Sequence, residues 1–179
     1  MQIKNTRHRY GLISSLFHWV SAILVISTFS LGFYLASLSW GIEKFNLVDI
    51  HASIGCTIDL FVILRMLWRF NSPAPKPIVT SKIQGFAMYM VHLTLLLLLI
   101  ALFSSGYIMI SSGGNPVKLF DIFFMPELQQ SSSTAKQFRN FHEILVWTFI
   151  GVLSLHVLAA LFHHFIKRDA TLKRIMGLT

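Results

Sequence analysis

The chain of 179 residues is 54% hydrophobic and only 12% charged, with a formal net charge of +8. Soluble domains carry about 25% charged residues, so this composition excludes an ordinary water-soluble domain and favours a membrane protein. The single cysteine, Cys56, excludes a disulfide framework within the chain and any CxxC haem-attachment or zinc motif.

Four long apolar segments predict the transmembrane helices in chain order. About 20 apolar residues are needed to cross a hydrocarbon core of about 30 Å. With flanking charges and turn residues as limits, the spans are expected at about 14–38, 47–69, 83–107 and 137–166. The expected fold class is an all-α membrane protein, a four-transmembrane-helix bundle in which residues 1–179 form a single domain.

The links between the spans differ in length and chemistry. After the second span, three prolines within residues 73–77 stop the helix, because proline lacks the backbone N–H. The outer loop at about 111–133 is the longest irregular stretch. Before the fourth span, Thr134 is predicted as the N-cap, with Gln137 completing a capping box.

Lysine and arginine are distributed unevenly, which predicts the orientation of the spans. Eleven of the 15 lie at the two ends of the chain and in the link between the second and third spans. By the positive-inside rule, both termini are therefore expected to face the cytoplasm. The basic side chains on that side are then expected to contact anionic lipid headgroups. Membrane lipid is thus an expected partner, and nucleic acid is not.

Histidine carries the chemistry predicted for this sequence. Five of the eight histidines lie in or at the margin of a span, where ionisable side chains are costly and usually functional. His156 follows His142 by 14 residues on the fourth span, so both share one helix face at depths about 21 Å apart. Judged by flanking charges, His18 lies at the inner depth of His156, and His51 at the outer depth of His142. The four therefore fall into two layers of two.

Two imidazoles at one depth on facing helices can hold a planar metal macrocycle from both faces. Haem is the obvious candidate, because histidine is a standard axial ligand and helix bundles host such sites. The residues predicted to bind the cofactor and ligate its iron are His18, His51, His142 and His156. Hydrogen bonding to a neighbouring helix explains a single intramembrane histidine equally well, but explains two layers of two much less well.

Three other residues are candidates for contacts with haem propionates or with a quinone. His92 shares the inner depth, so three histidines compete there for two axial positions, and the 14-residue spacing favours His156 over His92. Arg65 and Arg69 suit pairing with propionate carboxylates. The alternative for both arginines is snorkelling to the inner headgroups.

Short motifs follow one another along nearly the whole chain in a fixed order and spacing. They are Leu16-Phe17-His18-Trp19, His51-Ala52-Ser53-Ile54-Gly55, Leu64-Arg65-Met66-Leu67-Trp68-Arg69, Val91-His92-Leu93, Gly114-Asn115-Pro116, Phe141-His142-Glu143, His156 with His163-His164, and Lys167-Arg168-Asp169-Ala170-Thr171-Leu172. Each motif alone is weak, but together they resemble the bacterial, or prokaryotic, cytochrome b561 family of di-haem membrane proteins. Asp59 departs from the apolar or small residue usual in that family, which leaves any proton pathway through it open.

The resemblance implies a multi-pass protein of the bacterial inner membrane and the respiratory chain, with two haem b groups and with ubiquinone as substrate or bound quinone. It also implies that His18 and His156 ligate the inner haem, and that His51 and His142 ligate the outer haem. At least one family member oxidises superoxide at the outer face and passes the electron to ubiquinone.

The leading hypothesis is di-haem electron transfer across the membrane, between an outer-face donor and the quinone pool. The donor is superoxide or a periplasmic redox protein, and the chain is either an oxidoreductase or a pure electron carrier. Lys118, Lys136 and Arg139 could steer a small anion, although ordinary loop charge explains them as well. One alternative is a haem-bearing membrane anchor subunit of a larger dehydrogenase. Another is a metal-ion or proton transporter that uses the histidines as a relay.

Overall fold

The structure, a computed structural model, describes residues 2–79 and 81–177 and is dominated by four long helices. In chain order the helices are α1 (Leu12–Ser37), α2 (Ile42–Asn71), α3 (Lys82–Ser112), α4 (Ser132–Phe165) and the short α5 (Thr171–Ile175). Between α3 and α4, the strands β1 (Lys118–Leu119) and β2 (Phe123–Phe124) pair antiparallel. Their register sets Lys118 opposite Phe124 and Leu119 opposite Phe123.

The four long helices are each apolar and long enough to cross a membrane. They contain 26, 30, 31 and 34 residues, whereas about 20 suffice for the hydrocarbon core. Many large apolar side chains on them are exposed, as expected when lipid rather than water is the solvent. The prediction of an all-α membrane protein with four spans is confirmed.

The start of α4 differs from the predicted cap. Ser131, not Thr134, caps the helix: its hydroxyl accepts a hydrogen bond from the Thr134 backbone N–H at 3.2 Å. The carbonyl of Ser131 also accepts the first helical bond, from the N–H of Ala135 at 2.9 Å. Three consecutive serines precede Thr134, and the first of them reaches the free N–H groups of the first turn. The helix therefore begins three residues earlier than predicted.

Contacts between residues divide the chain into two compact units. The first unit comprises, among the described residues, 2–21, 61–97 and 149–177. In it, the N-terminal segment is tied to the end of α2 by Asn5, whose side-chain amide donates to the Ser72 carbonyl at 2.8 Å. The side-chain carbonyl oxygen of Asn5 accepts a hydrogen bond from the Gly11 N–H at 2.8 Å. Nearer the membrane, the Trp68 indole donates to the Ser14 hydroxyl at 3.1 Å.

The second unit comprises residues 22–60 and 98–148 and holds a small apolar core. Ile110, Val117 and Leu119 are buried at its centre. The partly buried side chains packed around them are Val48, Ala52, Cys56, Tyr107, Met109 and Met125. The β-strands are thereby held against α2 and α3 by apolar contacts.

Candidate functional site

Three histidines from three helices meet in the first unit. The ring centres of His18 on α1 and His156 on α4 are 6.4 Å apart, with the ring planes at 60°. His92 on α3 lies on another side of His156, with ring centres 5.0 Å apart and planes at 86°. The inner layer therefore contains all three histidines that the sequence placed at this depth, and His156 contacts both of the others.

His92 carries a hydrogen bond of its own within α3. Its Nδ1–H donates to the Met88 carbonyl at 2.7 Å, four residues earlier in the helix. A neutral imidazole with its proton on Nδ1 keeps a lone pair on Nε2. That nitrogen is available to a metal or to a hydrogen-bond donor, so His92 stays a candidate in this layer.

Arg65 joins the same cluster from α2. One of its guanidinium nitrogens lies 3.3 Å from Nδ1 of His18, which accepts the hydrogen bond because guanidinium can only donate. Arg65 also lines a cavity of about 20 Å³ together with the exposed Arg69, Tyr10 and Trp68. The two predicted arginines thus border one small space, but only Arg65 contacts a histidine.

His142 in the second unit is oriented by a hydrogen-bonded chain. Its Nδ1 lies 2.9 Å from the hydroxyl of Ser105, and that hydroxyl donates to the Leu102 carbonyl at 3.0 Å. Because the serine proton goes to the carbonyl, Nδ1 of His142 must donate, and the lone pair stays on Nε2. Metal-bound histidines characteristically donate their second ring N–H in this way.

His51 in the second unit is packed differently. Its Nδ1 is buried and has no hydrogen-bond partner among the described residues. His142 is close enough to act electrostatically on His51, so the two predicted outer histidines lie in one neighbourhood. This nitrogen faces α1, where a Cβ at Gly32 would lie 3.7 Å from it and where the Thr28 backbone interacts with the ring, so Nε2 is the ring nitrogen farther from that glycine.

Each outer histidine lies against a glycine. A Cβ at Gly32 on α1 would lie 3.1 Å from Cε1 of His51, and a Cβ at Gly106 on α3 would lie 3.3 Å from Cε1 of His142. Both distances are tighter than ordinary van der Waals contact. The absence of side chains therefore makes room for the imidazole rings. By contrast, a Cβ at Gly55 would make an ordinary 3.5 Å contact with the Phe103 ring.

Three residues of this layer were missed from the sequence: Ser105, Gly32 and Gly106. A signal for two of them was available, since Ser104, Ser105 and Gly106 interrupt the leucine-rich sequence of α3. Small and polar residues inside a span mark close approaches and hydrogen bonds between helices. A similar signal precedes Gly32, since Ser27, Thr28 and Ser30 interrupt the apolar sequence of α1.

A polar network lies at the end of α4. The Nδ1–H of His163 donates to a carboxylate oxygen of Asp169, and the side-chain amide of Gln84 donates to its Nε2 at 3.0 Å. The other carboxylate oxygen accepts from the Thr171 N–H at 2.8 Å. Burial opposes ionisation of Asp169, but the hydrogen bonds from Thr171 and His163 outweigh it and hold the pKa of this carboxyl below its usual range.

Two of the three cations predicted to steer an anion lie at aromatic rings. The Lys118 ammonium is 5.6 Å from the centre of the Phe124 ring, and the Arg139 guanidinium is 5.7 Å from the Trp40 ring. Lys136 is exposed on the first turns of α4. Two of the cationic side chains of the second unit therefore make cation–π contacts.

Among the described residues, no group of three or more His, Cys, Asp and Glu side chains could hold a bare metal ion. Asp59 makes no hydrogen bond or ion pair within residues 2–79 and 81–177. The layers thus offer two or three imidazoles each, without carboxylate or thiolate ligands.

The sequence is similar to known proteins over nearly its whole length. The family model described as "Prokaryotic cytochrome b561" matches residues 9–177. Cytochrome b561 homolog 2 of Escherichia coli (strain K12) is 37% identical over 180 residues, covering 99% of this chain and 96% of that protein. Probable superoxide oxidase CybB of Yersinia pestis is 31% identical over 176 residues, covering 94% and 96% respectively.

Proposed function

Since the chain belongs to the prokaryotic cytochrome b561 family, and so to the haem b proteins of transmembrane electron transfer, we propose that it holds two haem b groups and links an outer-face donor to the membrane quinone pool. The donor proposed is superoxide, and the acceptor is ubiquinone. The protein is a multi-pass protein of the bacterial inner membrane, and we propose that both termini lie in the cytoplasm, as the distribution of lysine and arginine favours.

The inner haem is assigned to His18 and His156. Metal–imidazole bonds are about 2 Å long, so two imidazoles on opposite faces of one metal have ring centres about 6 Å apart. The 6.4 Å separation of these two rings is the observation that carries the proposal. His92 and His156, at 5.0 Å, are closer than such a pair requires. We assign His92 to a haem propionate or to the quinone.

The outer haem is assigned to His51 and His142. The Ser105 hydroxyl holds His142 in the tautomer whose Nε2 can ligate iron. Nδ1 of His51 faces Gly32 and the Thr28 backbone, which leaves Nε2 of that ring for the iron. Gly32 and Gly106 leave space at both rings. These features support a site that is completed by a flat cofactor.

Arg65 is assigned to the propionates of the inner haem. If Nε2 of His18 binds iron, its Nδ1 carries the ring proton and no longer accepts a hydrogen bond from Arg65. The guanidinium is then free to pair with a carboxylate at the same depth. Arg69 borders the same cavity and can contribute charge there.

The haem groups supply one-electron chemistry when bound, and two imidazoles on each iron leave no open position for oxygen. Two superoxide ions release two electrons and become two molecules of oxygen. One ubiquinone takes up those two electrons and two protons and becomes the quinol. Lys118, Lys136 and Arg139 raise the local concentration of the anion at the outer face. The similarity to a probable superoxide oxidase supports this choice of donor.

Haem content and quinone reduction test the proposal on purified protein. We expect two haem b per chain, a reduced α-band after dithionite, and superoxide-dependent reduction of a short-chain ubiquinone. Protein without haem would contradict the proposal and favour a transporter. Two haems without superoxide-dependent reduction, together with a co-purifying redox protein, would favour a membrane anchor subunit.

Two variants test the inner ligands. His156→Ala should lose both inner-site absorbance and one haem per chain, whereas His92→Ala should keep two haems. Loss of one haem in His92→Ala, with two retained in His156→Ala, would overturn the assignment.

A further inference from the structure

The segment between α3 and α4 contains a β-hairpin whose first strand buries two apolar side chains and whose turn and second strand expose four. We define the outer hairpin as residues 117–125. Its buried side chains, Val117 and Leu119, are 2% and 8% exposed and belong to the core of the second unit. Its outward side chains are Phe120, Ile122, Phe123 and Phe124, which are 60%, 86%, 59% and 60% exposed. Such a concentration of exposed large apolar residues on one short loop marks a contact surface.

The turn of the outer hairpin is held in an unfavourable backbone conformation. Phe120 and Asp121 have φ angles of 55° and 54°, in the left-handed region that residues with a Cβ seldom occupy. The hydrogen bond from the Phe120 N–H to the Ser53 hydroxyl, at 2.8 Å, stabilises the turn from α2. The conformation keeps the aromatic side chain directed away from the core.

Backbone groups of the outer hairpin have partners within the protein. The Lys118 N–H donates to the Asp49 carboxylate at 3.3 Å. The N–H of Ile122 donates to the Leu119 carbonyl at 3.1 Å, and that of Met125 to the Val117 carbonyl at 3.0 Å. Irregular backbone enters a membrane only where such partners replace water. The hairpin meets that condition at these three N–H groups and at the N–H of Phe120.

The contacts with α2 also measure how deep the outer hairpin reaches. Lys118 binds Asp49 and Phe120 binds Ser53, so the first strand follows α2 in the direction of the membrane. Ser53 lies eleven residues after the helix start at Ile42, which is about 16 Å along the axis. The apolar span was predicted to begin near residue 47, about 9 Å before Ser53. The turn therefore lies at the level of the membrane.

We propose that the outer hairpin is a re-entrant element whose exposed apolar side chains contact the lipid of the outer leaflet. Its occupant is lipid because the surface continues that of α2, where Ile50 is also exposed, at a depth that lipid occupies. Asp121 at the turn limits insertion to the interfacial layer, since a carboxylate in the hydrocarbon core is costly. The hairpin thus anchors the outer end of the second unit in the bilayer.

Nitroxide labels on the full chain in lipid nanodiscs test this inference. In a Cys56→Ala background, the labelled variants are Ile122→Cys on the hairpin, Ile144→Cys on the exposed surface of α4, and Gln130→Cys in the polar part of the same loop. Power-saturation EPR then compares collisions with oxygen, which concentrates in lipid, with those of a water-soluble nickel chelate. We expect the label at 122 to behave like the label at 144, and the label at 130 to favour the nickel chelate.

Other outcomes overturn the inference. A label at 122 as accessible to the nickel chelate as the label at 130 would place the hairpin in water. A label that is accessible in nanodiscs and becomes protected on adding a periplasmic extract would indicate a protein partner instead. Phe123→Cys supplies a second exposed apolar position on the hairpin if Ile122→Cys does not fold, as judged by circular dichroism.

Discussion

The hydroxyl of Ser105 accepts a hydrogen bond from the Nδ1–H of His142 at 2.9 Å and donates a hydrogen bond to the Leu102 carbonyl at 3.0 Å. Ser105 is only 1% exposed, so water does not compete for either bond. The chain of bonds determines which ring nitrogen of His142 carries the proton and which way the ring faces. Ser105 is therefore a positioning residue for the proposed outer ligand.

Ser105→Ala is expected to weaken the outer haem site. The variant removes the hydroxyl that accepts from the buried Nδ1–H of His142 and leaves that N–H the Leu102 backbone, which also interacts with the ring. A lost hydrogen bond of this kind costs about 0.5–1.5 kcal/mol. Loss of such a partner typically lowers metal affinity about 10–100-fold. We expect partial loss of one haem per chain and a changed low-spin EPR signal from the haem that remains at that site. Redox titration and EPR of the purified variant measure both effects.

Ser104→Ala is the matched control for that experiment. Ser104 is the neighbouring serine on α3, is exposed, and donates only to the Ile100 carbonyl four residues earlier. Its removal should leave haem content and EPR spectrum unchanged. Equal effects of the two substitutions would show that Ser105 acts through the helix rather than through His142.

Glycines at the outer histidines should not tolerate a methyl group. Replacing glycine in a helix interior by alanine normally stabilises by about 0.5–1 kcal/mol. At Gly32 and Gly106 the new Cβ would press on His51 and His142, so we expect lower thermal stability and a shifted α-band. Gly151→Ala is the control, because among the described residues an added Cβ there meets no other atom within 4 Å. Unchanged spectra in both Gly32→Ala and Gly106→Ala would contradict the packing described.

The depth of each histidine could be predicted from the sequence, because rise per residue and flanking charges are both visible in it. The rotation of each helix about its own axis could not be predicted from the sequence. The mean hydropathy of α3 is high, and its apolar residues are spread over all faces of the helix. The sequence therefore does not indicate which face of α3 contacts a neighbouring helix. His92 and His156 were therefore left in competition, and the placement of Ser105 against His142 was not foreseen.

The N-cap residue of α4 and the structure of the loop between α3 and α4 could not be predicted from the sequence pattern either. Ser131, Ser132 and Ser133 are equivalent candidates for the N-cap of α4 in the sequence. The path of the preceding loop determines that Ser131 is the residue that caps the helix. The outer hairpin has no glycine or asparagine at its turn, where Phe120 and Asp121 adopt positive φ angles. Hairpins are ordinarily recognised by those residues, so this one had no turn signal.

Arg65→Gln should lower the midpoint potential of the inner haem. A positive charge beside the haem favours the reduced state, and its removal costs about 1–2 kcal/mol of that preference, or roughly 40–80 mV for one electron. Arg69→Gln is the comparison and should give a smaller shift, because Arg69 borders the same cavity but is exposed and has no contact with a histidine among the described residues. Redox titration followed at the α-band separates the two haems. Equal shifts in both variants would indicate a general effect of charge rather than a pairing of Arg65.

Stability of the α4 end should depend on pH through Asp169. Its folded-state pKa lies below the usual value of about 3.9, so the unfolded chain takes up a proton first on acidification. The stabilisation is therefore complete above the ordinary carboxyl pKa and is lost as pH falls through the folded-state pKa. Because Asp169 lies near the surface, we expect less than about 1 kcal/mol. Thermal unfolding in detergent should show a smaller loss of stability between pH 7 and pH 3 for Asp169→Asn than for wild type. Asp121→Asn is the control and should behave like wild type. The same acid dependence in wild type and Asp169→Asn would show that Asp169 does not contribute.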